Sequence, residues 1–252
     1  MFSILKARLK QGYRTFAYPD QEPTLPDRFQ GRPVLEPSKC AGGCHACEEA
    51  CPTAALARTG PDLKLDLGQC LFCGACANAC PRQAVTFSRD YRLAARTRND
   101  LVLGDRERQA GRRVDEASRR LFGRSLKLRQ VSAGGCNACE ADLNVLSTPV
   151  FDLGRFGIQF VASPRHADGV VITGPVTKNM ELALRKTIDA VPTPRLVIAV
   201  GACAISGGIY RDHPEARNGA DAVTPVDLFV PGCPPHPYTI LHGLLALLGR
   251  VE

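Results

Sequence analysis

The sequence predicts two folded modules, the first of α+β class and the second of α/β class with a mostly parallel sheet. Within residues 31–92 one pattern occurs twice: a short apolar strand-like piece, a run of cysteines, a Cys-Pro pair and a second apolar piece. Such a duplication indicates two pseudo-symmetric halves. From residue 126 to residue 252, short runs rich in β-branched residues alternate with stretches of helical length and period, which favours a parallel sheet.

An N-terminal arm, residues 1–30, precedes the first module. Phe2, Leu5 and Leu9 share one face of a predicted short helix, and "YPDQEPTLPD" then breaks the helical pattern. A short basic amphipathic helix can lie on a membrane surface, and it can equally dock on a protein. The sequence leaves both interpretations of the arm open.

The second cysteine run of the first module, "CLFCGACANACP", spaces its cysteines as C-x2-C-x2-C-x3-C before Pro81. This spacing is the signature of bacterial two-cluster ferredoxins, in which the fourth cysteine ligates the other cluster. Zinc is the alternative, but zinc sites usually pair two C-x2-C knuckles at a distance. The run therefore predicts a ferredoxin domain with two [4Fe–4S] clusters in residues 31–92.

The repeat predicts that the two clusters exchange their fourth ligands. We expect one cluster on Cys70, Cys73, Cys76 and Cys51, and the other on Cys40, Cys44, Cys47 and Cys80. The first run has one residue more between Cys40 and Cys44 than the second run has at the same place. Because Gly42 and Gly43 can adopt positive φ without steric cost, we expect a bulge that preserves the site. His45 is a less favoured substitute ligand, since the loop already has four candidate cysteines.

Residues 93–125 form a predicted basic linker without cysteine, with a helix in "DEASRRLFGRS". Lys and Arg number 12 against 5 Asp and Glu in residues 91–129, which accounts for the formal net charge of +7. A solvated or partner-facing linker is the simpler interpretation, and a zinc-bearing nucleic-acid binder is the alternative. Because the chain has no Trp and no aromatic–basic interleaving, we expect no nucleic-acid partner. A visible absorbance band that bleaches with dithionite would exclude the alternative.

Residues 126–252 are predicted to form the α/β domain. Strand character is found in "LKLRQVS", "IQFVAS", "GVVIT", "RLVIAV" and "VDLFV", and helical period in "NMELALRKTIDAV" and "HPYTILHGLLALLGR". Four cysteines, Cys136, Cys139, Cys203 and Cys233, lie in loops that leave the carboxyl ends of these strands. Open parallel sheets build their sites on that edge. The sequence therefore predicts a third four-cysteine site, and a cluster is favoured there over zinc or inert thiols.

The remaining sequence excludes several other classes of protein. It shows no nucleophile–base pair, no carboxylate dyad and no phosphate-binding loop with its lysine. No apolar run reaches the ~18 residues of a membrane span, and the basic N-terminus lacks the long apolar core of a secretory signal. Twelve cysteines in a reducing compartment are better read as metal ligands than as disulfides. We therefore expect a cytoplasmic conductor of electrons with no catalytic residue of its own.

Four motifs of the second module carry a family resemblance. "GGCNACEADL", "SPRHADGVVITGPVTKNM", "GACAISGGIY" and "VPGCPPHP" resemble the small subunit of energy-converting, membrane-bound [NiFe] hydrogenases, which is itself similar to the complex I subunit with the terminal cluster. Residues 1–92, with "FSILK" and "YPD", resemble the two-cluster ferredoxin subunit of the same assemblies, such as formate hydrogenlyase. The chain thus resembles a fusion of two subunits.

The resemblance implies a flavodoxin-like fold for residues 126–252 and a proximal [4Fe–4S] cluster on the four cysteines of that module. Complex I relatives have adjacent cysteines at the first ligand position, whereas Asn137 and Ala138 separate the pair here. This separation favours a hydrogenase over a quinone reductase. Glu140, next to the ligand pair, would either relay protons at the large-subunit interface or cap a helix.

The implied function is electron transfer through three [4Fe–4S] clusters, between an electron-donor protein at the ferredoxin module and a [NiFe] site in a large partner subunit. Other subunits would hold the chain at the inner face of the cytoplasmic membrane. The alternative is the cluster subunit of a quinone-linked, complex-I-like oxidoreductase whose large subunit lacks nickel ligands.

Overall fold

The structure is a computed structural model, and it describes residues 2–12, 14–40, 43–59, 62–104, 122–123 and 125–251. The helices formed by these residues are α1 (Phe2–Gln11), α2 (Ala46–Glu49), α3 (Ala75–Ala79), α4 (Ala138–Val145), α5 (Lys178–Ala190), α6 (Ala202–Ser206) and α7 (Pro237–Leu247). Their strands are β1 (Pro33–Leu35), β2 (Leu56–Thr59), β3 (Asp62–Asp66), β4 (Val85–Phe87), β5 (Val102–Leu103), β6 (Leu126–Ser132), β7 (Ile158–Phe160), β8 (Gly169–Thr173), β9 (Leu196–Val200) and β10 (Leu228–Val230).

The two halves of the internal repeat pair with each other in the first module. Strand β1 of the first half lies antiparallel to β4 of the second, and β2 of the first lies antiparallel to β3 of the second. Burial on β3 alternates, because successive side chains of a strand point to opposite faces. Leu63 and Leu65 are buried whereas Lys64 is exposed. The arrangement is the α+β, ferredoxin-like module that the repeat predicts.

The second module contains a five-stranded sheet in the order β10-β9-β8-β6-β7, and every neighbouring pair is parallel. Numbered within the domain, this order is 2-1-3-4-5, which is the flavodoxin-like arrangement. Strands β8 and β9 are buried along their whole length. Their continuous apolar sequences follow from this burial, since parallel sheets are covered on both faces. The prediction of a mostly parallel α/β sheet is confirmed.

The two long helices of this module cover the sheet in different ways. Helix α5 is amphipathic, and its buried residues are Leu184 and Ile188. The side chains on its other face can therefore be polar. Helix α7 is buried along almost its whole length. It begins with Pro237, whose missing N–H is not needed at the first helical position. The His236 side chain accepts a hydrogen bond from the backbone N–H of Tyr238 at 3.2 Å.

One apolar core runs through both modules. Leu65 and Cys76 of the first module belong to the same buried cluster as Val170 and Ile205 of the second. The buried Ser206 hydroxyl also donates a hydrogen bond of 2.8 Å to the carbonyl of Gly68 in the first module. Packing of this kind fixes the two modules against each other.

The segment after the first module, as far as residue 104, pairs with one strand of each module. Strand β5 pairs with β3, and Ala95 forms an antiparallel bridge with Phe229 of β10. Both Leu93 and Ala95 are buried. The predicted helix in "DEASRRLFGRS" falls almost entirely outside the described residues.

The arm divides into an exposed helix and a packed segment. No residue of α1 is buried, and its apolar face of Phe2, Leu5 and Leu9 is open to solvent. Further along, Tyr18 is buried, and the Arg155 guanidinium donates hydrogen bonds to the carbonyls of Phe16 and Tyr18 at 2.7 and 3.0 Å. Within the described residues, no helix has the length and apolar character that crossing a bilayer requires.

Candidate iron–sulfur sites

The cysteines of the first module line two pockets. The pocket lined by Cys40, Cys44, Cys47 and Cys80 is called the first pocket. The pocket lined by Cys51, Cys70, Cys73 and Cys76 is called the second pocket. The empty space is about 410 Å³ in the first and about 300 Å³ in the second, part of it open to solvent. Each pocket thus combines three cysteines of one run with the last cysteine of the other. The structure brings together the two sets that the sequence predicts as ligands.

Backbone amides point at several of these sulfurs. The N–H of Ala55 donates to Cys51 Sγ at 3.2 Å, and the N–H of Ala84 donates to Cys80 Sγ at 3.1 Å. Within the second run, the N–H of Phe72 donates to Cys70 Sγ at 3.3 Å. Hydrogen bonds to cluster sulfurs are one of the means by which proteins tune iron–sulfur sites.

The thiols differ in how their surroundings affect ionisation. Burial raises the pKa of the Cys70 thiol to about 12 and that of Cys76 to about 11, from an ordinary value of 9.0. Burial alone would raise the pKa of the Cys80 thiol. The backbone N–H groups of Ala84 and its neighbours stabilise the thiolate more strongly, so the pKa of Cys80 is lowered. Because a metal binds the thiolate, insertion of a cluster at Cys70 and Cys76 would displace their protons.

The expanded loop of the first run contains two glycines that we expect to absorb the extra residue, and the structure describes one of them, Gly43. Gly43 has φ +73°, and no atom lies within 4 Å of the position that a Cβ would occupy. Ala41 and Gly42 lie outside the described residues. His45 Nδ1 lies 2.5 Å from Glu48 Oε2, and its hydrogen bond holds the pKa of that carboxyl below its usual value. The exposed imidazole is thus engaged with Glu48 in this structure.

A third group of cysteines gathers at the carboxyl edge of the parallel sheet. Cys136 follows β6, Cys139 lies in α4, Cys203 lies in α6 after β9, and Cys233 follows β10. Burial raises the pKa of Cys203 to about 11, and the neighbouring Cys233 and Cys136 raise it further. The pKa of Cys139 is raised by burial first and then by Glu140 and the other three thiols. We call these four cysteines the third site.

Glycine backbone lies against the sulfurs of the third site. Gly201 has φ +91°, and a Cβ there would lie 2.5 Å from Cys139 Sγ. Gly208 has φ +56°, and a Cβ there would lie 2.8 Å from Cys203 Sγ. Side chains at these positions would occupy the space beside the thiols. Four thiols, close backbone and partial burial are the donor set and surroundings of a [4Fe–4S] cluster, in which each thiolate binds a different iron.

The described residues contain no group of three or more His, Cys, Asp or Glu side chains placed around a single metal ion.

Glu140 occupies a buried position beside the third site. It is 4% exposed, and its Oε1 accepts a hydrogen bond of 2.6 Å from the hydroxyl of Thr173, the last residue of β8. The N-cap of α4 is Asn137, and no side chain caps that end. The Glu140 carboxylate therefore binds a neighbouring strand end rather than its own helix terminus.

The second pocket and the third site are neighbours. Burial raises the pKa of Cys233, and the next contributions come from Cys136 and from Cys73 of the second pocket. Phe72 and Cys233 also line one shared cavity between the modules. Sequence reasoning missed this proximity, because no pattern along the chain links residues 160 positions apart.

Two family models match the chain. Residues 136–247 match "NADH ubiquinone oxidoreductase, 20 Kd subunit", and residues 39–85 match "4Fe-4S dicluster domain". A probable membrane-bound hydrogenase subunit, mbhJ of Pyrococcus furiosus, is 40% identical over 132 residues, which cover 52% of this chain and 79% of the relative. The chain belongs to the NADH ubiquinone oxidoreductase 20 Kd subunit family.

The chain is also similar to a second curated relative and to a chain of a solved structure. This chain is 43% identical to formate hydrogenlyase subunit 7 of Escherichia coli over 129 residues, and the aligned region covers 51% of each of the two chains. Among solved structures, a chain of the membrane-bound sulfane sulfur reductase, an archaeal respiratory membrane complex, has a TM-score of 0.47 at 33% identity and covers 55% of this chain and 77% of that one. The two family models together confirm the combination of this family with a preceding dicluster domain.

Proposed function

We propose that this chain is an electron-transfer subunit with three [4Fe–4S] clusters in a membrane-bound, hydrogenase-like or formate-hydrogenlyase-like complex. The observation that carries the proposal is the presence of three groups of four cysteines in one chain, with Cys73 of the second pocket close enough to Cys233 of the third site for their charges to interact. When bound, such clusters supply one-electron transfer. The chain contributes their thiolate ligands, their amide donors and their partial exclusion from water.

The order of the sites supports a direction along the molecule. Because Cys73 of the second pocket is close to the third site, we take the first pocket as the far end of the series, where an electron-donor or electron-acceptor protein would dock. The third site, on the carboxyl edge of the parallel sheet, would face a large partner subunit with a [NiFe] centre. Catalysis would belong to that partner, and this chain would supply no catalytic residue.

Glu140 is proposed as a proton-relay group at the same face. Its carboxylate is buried next to Cys139, and the Thr173 hydroxyl holds it at 2.6 Å. A buried carboxylate beside a redox site is placed to exchange a proton with a partner's centre. Replacement of Glu140 by Gln would then slow hydrogen turnover by the assembled complex while leaving the iron content unchanged.

The names of the relatives support the proposed location. The Pyrococcus furiosus relative is called a membrane-bound hydrogenase subunit, and the Escherichia coli relative a formate hydrogenlyase subunit. We propose that this chain likewise associates peripherally with the inner face of the cytoplasmic membrane, through other subunits of its complex.

Iron content tests the three-cluster proposal directly. After anaerobic purification or reconstitution we expect about twelve iron atoms and about twelve acid-labile sulfides per chain, and a brown protein that bleaches with dithionite. A preparation that saturates at about four iron atoms or fewer would contradict the proposal.

The ligand assignment has its own test in the expanded loop. Cys44→Ala should remove one of three low-temperature EPR signals of the reduced protein, because Cys44 lines the first pocket. His45→Ala is the matched control from the same loop and should keep all three signals. Persistence of all three signals in Cys44→Ala would show that Cys44 is the spare residue.

A quinone-linked, complex-I-like assembly is the second candidate, and the description of the matching family model favours it. The two candidates differ in the large subunit rather than in this chain. Nickel in the purified complex, together with two C-x2-C pairs in the large subunit, would select the hydrogenase. Their absence with quinone reduction would select the alternative.

A further inference from the structure

The two pockets of the dicluster module are equivalent by the internal repeat, yet they differ in charge. Counting from the Cys-Pro pairs, Arg58 stands seven residues after Cys51, and Phe87 stands seven residues after Cys80. In the same way Arg82 corresponds to Thr53. The repeat therefore sets an arginine of one half against a neutral residue of the other at both positions.

The geometry confirms that these positions correspond. Ala55 and Ala84, each four residues after its Cys-Pro cysteine, donate their N–H groups to Cys51 Sγ and Cys80 Sγ at 3.2 and 3.1 Å. Arg58 and Arg82 line the first pocket, whereas Thr53 and Phe87 line the second. Within the described residues, the lining of the second pocket contains no Lys, Arg, Asp or Glu.

Hydrogen bonds from both its side chain and its backbone hold Arg58 at the first pocket. Its guanidinium donates to the carbonyl of Cys44 at 3.1 Å, and its backbone N–H donates to Glu48 Oε1 at 2.7 Å. The side chain is half-buried on β2. The Glu48 carboxylate hydrogen-bonds His45 and interacts electrostatically with Arg58, but it does not line the pocket. The positive charge of Arg58 is thus placed at the loop that carries the extra residue.

Phe87 provides the contrasting surroundings of the second pocket. Its ring lies 6.5 Å from the ring of Phe72, which belongs to the second cysteine run and also adjoins the shared cavity between the modules. The Thr53 hydroxyl donates to the carbonyl of Gln69 at 2.8 Å. Aromatic and hydroxyl groups here replace the two guanidinium groups of the first pocket.

The positive charge of an arginine side chain changes the reduction potential of a nearby cluster. A [4Fe–4S] cluster with four thiolates is anionic, and reduction adds one more negative charge. A nearby cation stabilises the reduced form, and an apolar wall destabilises it, since charge interactions are stronger where water is excluded. A greater positive charge at one of two otherwise equivalent sites therefore raises its potential.

We propose that Arg58, assisted by Arg82, sets the reduction potential of the first-pocket cluster above that of the second-pocket cluster, with Phe87 as the neutral counterpart. The proposal rests on the proposed function, because it requires clusters in both pockets. In that case an electron is held preferentially at the first pocket and reaches the third site through the lower-potential second pocket.

The test is a redox titration of the full chain with its clusters, followed by low-temperature EPR. The signals are assigned by their loss in Cys44→Ala and in Cys73→Ala. In the unmodified chain, the signal lost in Cys44→Ala should have the higher midpoint potential. The opposite order would overturn the proposal.

Charge substitution isolates the role of Arg58. Arg58→Met should shift the midpoint potential of the first-pocket signal to a more negative value and leave the other two unchanged, whereas Arg58→Lys should shift it less. Lys64→Met is the matched control, because it removes one charge from the adjacent strand on the face away from both pockets. An equal shift in the control, or an unchanged potential in Arg58→Met, would overturn the proposal.

A second variant keeps the proposal testable if the first one loses its cluster. If Arg58→Met fails to retain the first cluster, the exposed Arg82→Met should still shift the same signal in the same direction, and an unchanged potential there overturns the proposal. Iron content separates the two levels of the argument. A chain with only about four iron atoms contradicts the three-cluster function, whereas about twelve iron atoms with unshifted potentials contradict the role of Arg58 alone.

Discussion

At the scale of single residues, the third site depends on glycines as much as on cysteines. Gly201 lies between β9 and the helix that carries Cys203, yet its missing side chain leaves room for Cys139 of a different helix. Its φ of +91° is also a conformation that other residues adopt only under strain. The sequence predicts Cys203 as a ligand, but nothing in "GACAISGG" indicates that the first glycine touches a second ligand.

With the three clusters that we propose, Gly201→Ala should remove the cluster of the third site while both clusters of the first module remain. The added Cβ would lie 2.5 Å from Cys139 Sγ, so the thiol must move. Iron should fall from about twelve to about eight atoms per chain. Gly12→Ala is the control, since Gly12 has φ +63° with no atom within 4 Å of its Cβ position. Full iron content in Gly201→Ala would contradict this expectation.

Cys70 should be slow to alkylate in the cluster-free chain. Burial raises its pKa to about 12, so the thiolate fraction at pH 8 is small and grows about tenfold for each pH unit up to that value. The rate of iodoacetamide labelling should therefore keep rising from pH 8 to pH 11. Mass spectrometry can compare it with the exposed Cys73 and with Cys70 in the denatured chain. A native rate at pH 8 equal to the denatured rate would exclude this explanation.

At the scale of elements, the end of β3 is where the second pocket joins the rest of the fold. Asp66 accepts hydrogen bonds from the Arg98 guanidinium at 2.7 and 2.5 Å and from the backbone N–H of Gly68 at 2.9 Å. The carbonyl of Gly68 accepts from Ser206. This turn therefore connects the strand that precedes Cys70 to the α/β domain.

Arg98→Ala should lower the free energy of unfolding by about 1–3 kcal/mol, because it leaves the half-buried Asp66 carboxylate without its main partner. Lys39→Ala removes an exposed pair with Glu36 and should cost less than about 1 kcal/mol. Denaturant unfolding under identical cluster loading measures both. An equal decrease in the free energy of unfolding in both variants would show that the Asp66–Arg98 pair stabilises the fold no more than an exposed ion pair does.

Elements with strong local patterns were predictable, and those made by distant pairing were not. The run "LKLRQVS" coincides with β6 and "GVVIT" with β8, because their apolar content and flanking glycines are local features. Strand β5 has only two residues and exists because it pairs with β3. Its pairing depends on a chain path that no local pattern contains.

At the scale of the whole molecule, the two modules share their core. Cys76 and Leu65 belong to the same apolar cluster as Ile205 and Phe229. Separation of the modules would expose this surface, which a monomeric soluble domain avoids. The fusion of the two modules is therefore a structural unit as well as a continuous chain.

A chain that starts at residue 125 should aggregate when it is produced alone. Ile205 and Phe229, which are 3% exposed in the full chain, would lose their cover from the first module. Co-production with residues 1–104 should restore a soluble complex, as size-exclusion chromatography would show. A monomeric, soluble isolated domain with unchanged thermal stability would show that the shared core contributes little.

The sequence by itself determined the candidate ligands, their grouping into two runs and one set of strand-end loops, and the class of each module. These features are local, since they follow from cysteine spacing and from the period of apolar residues. The tertiary structure alone decided that Cys73 comes close enough to Cys233 for their charges to interact, that Glu140 accepts a hydrogen bond from Thr173, and that Arg58 and Phe87 line different pockets. Such contacts join residues far apart along the chain, and only the packing of the two modules brings them together.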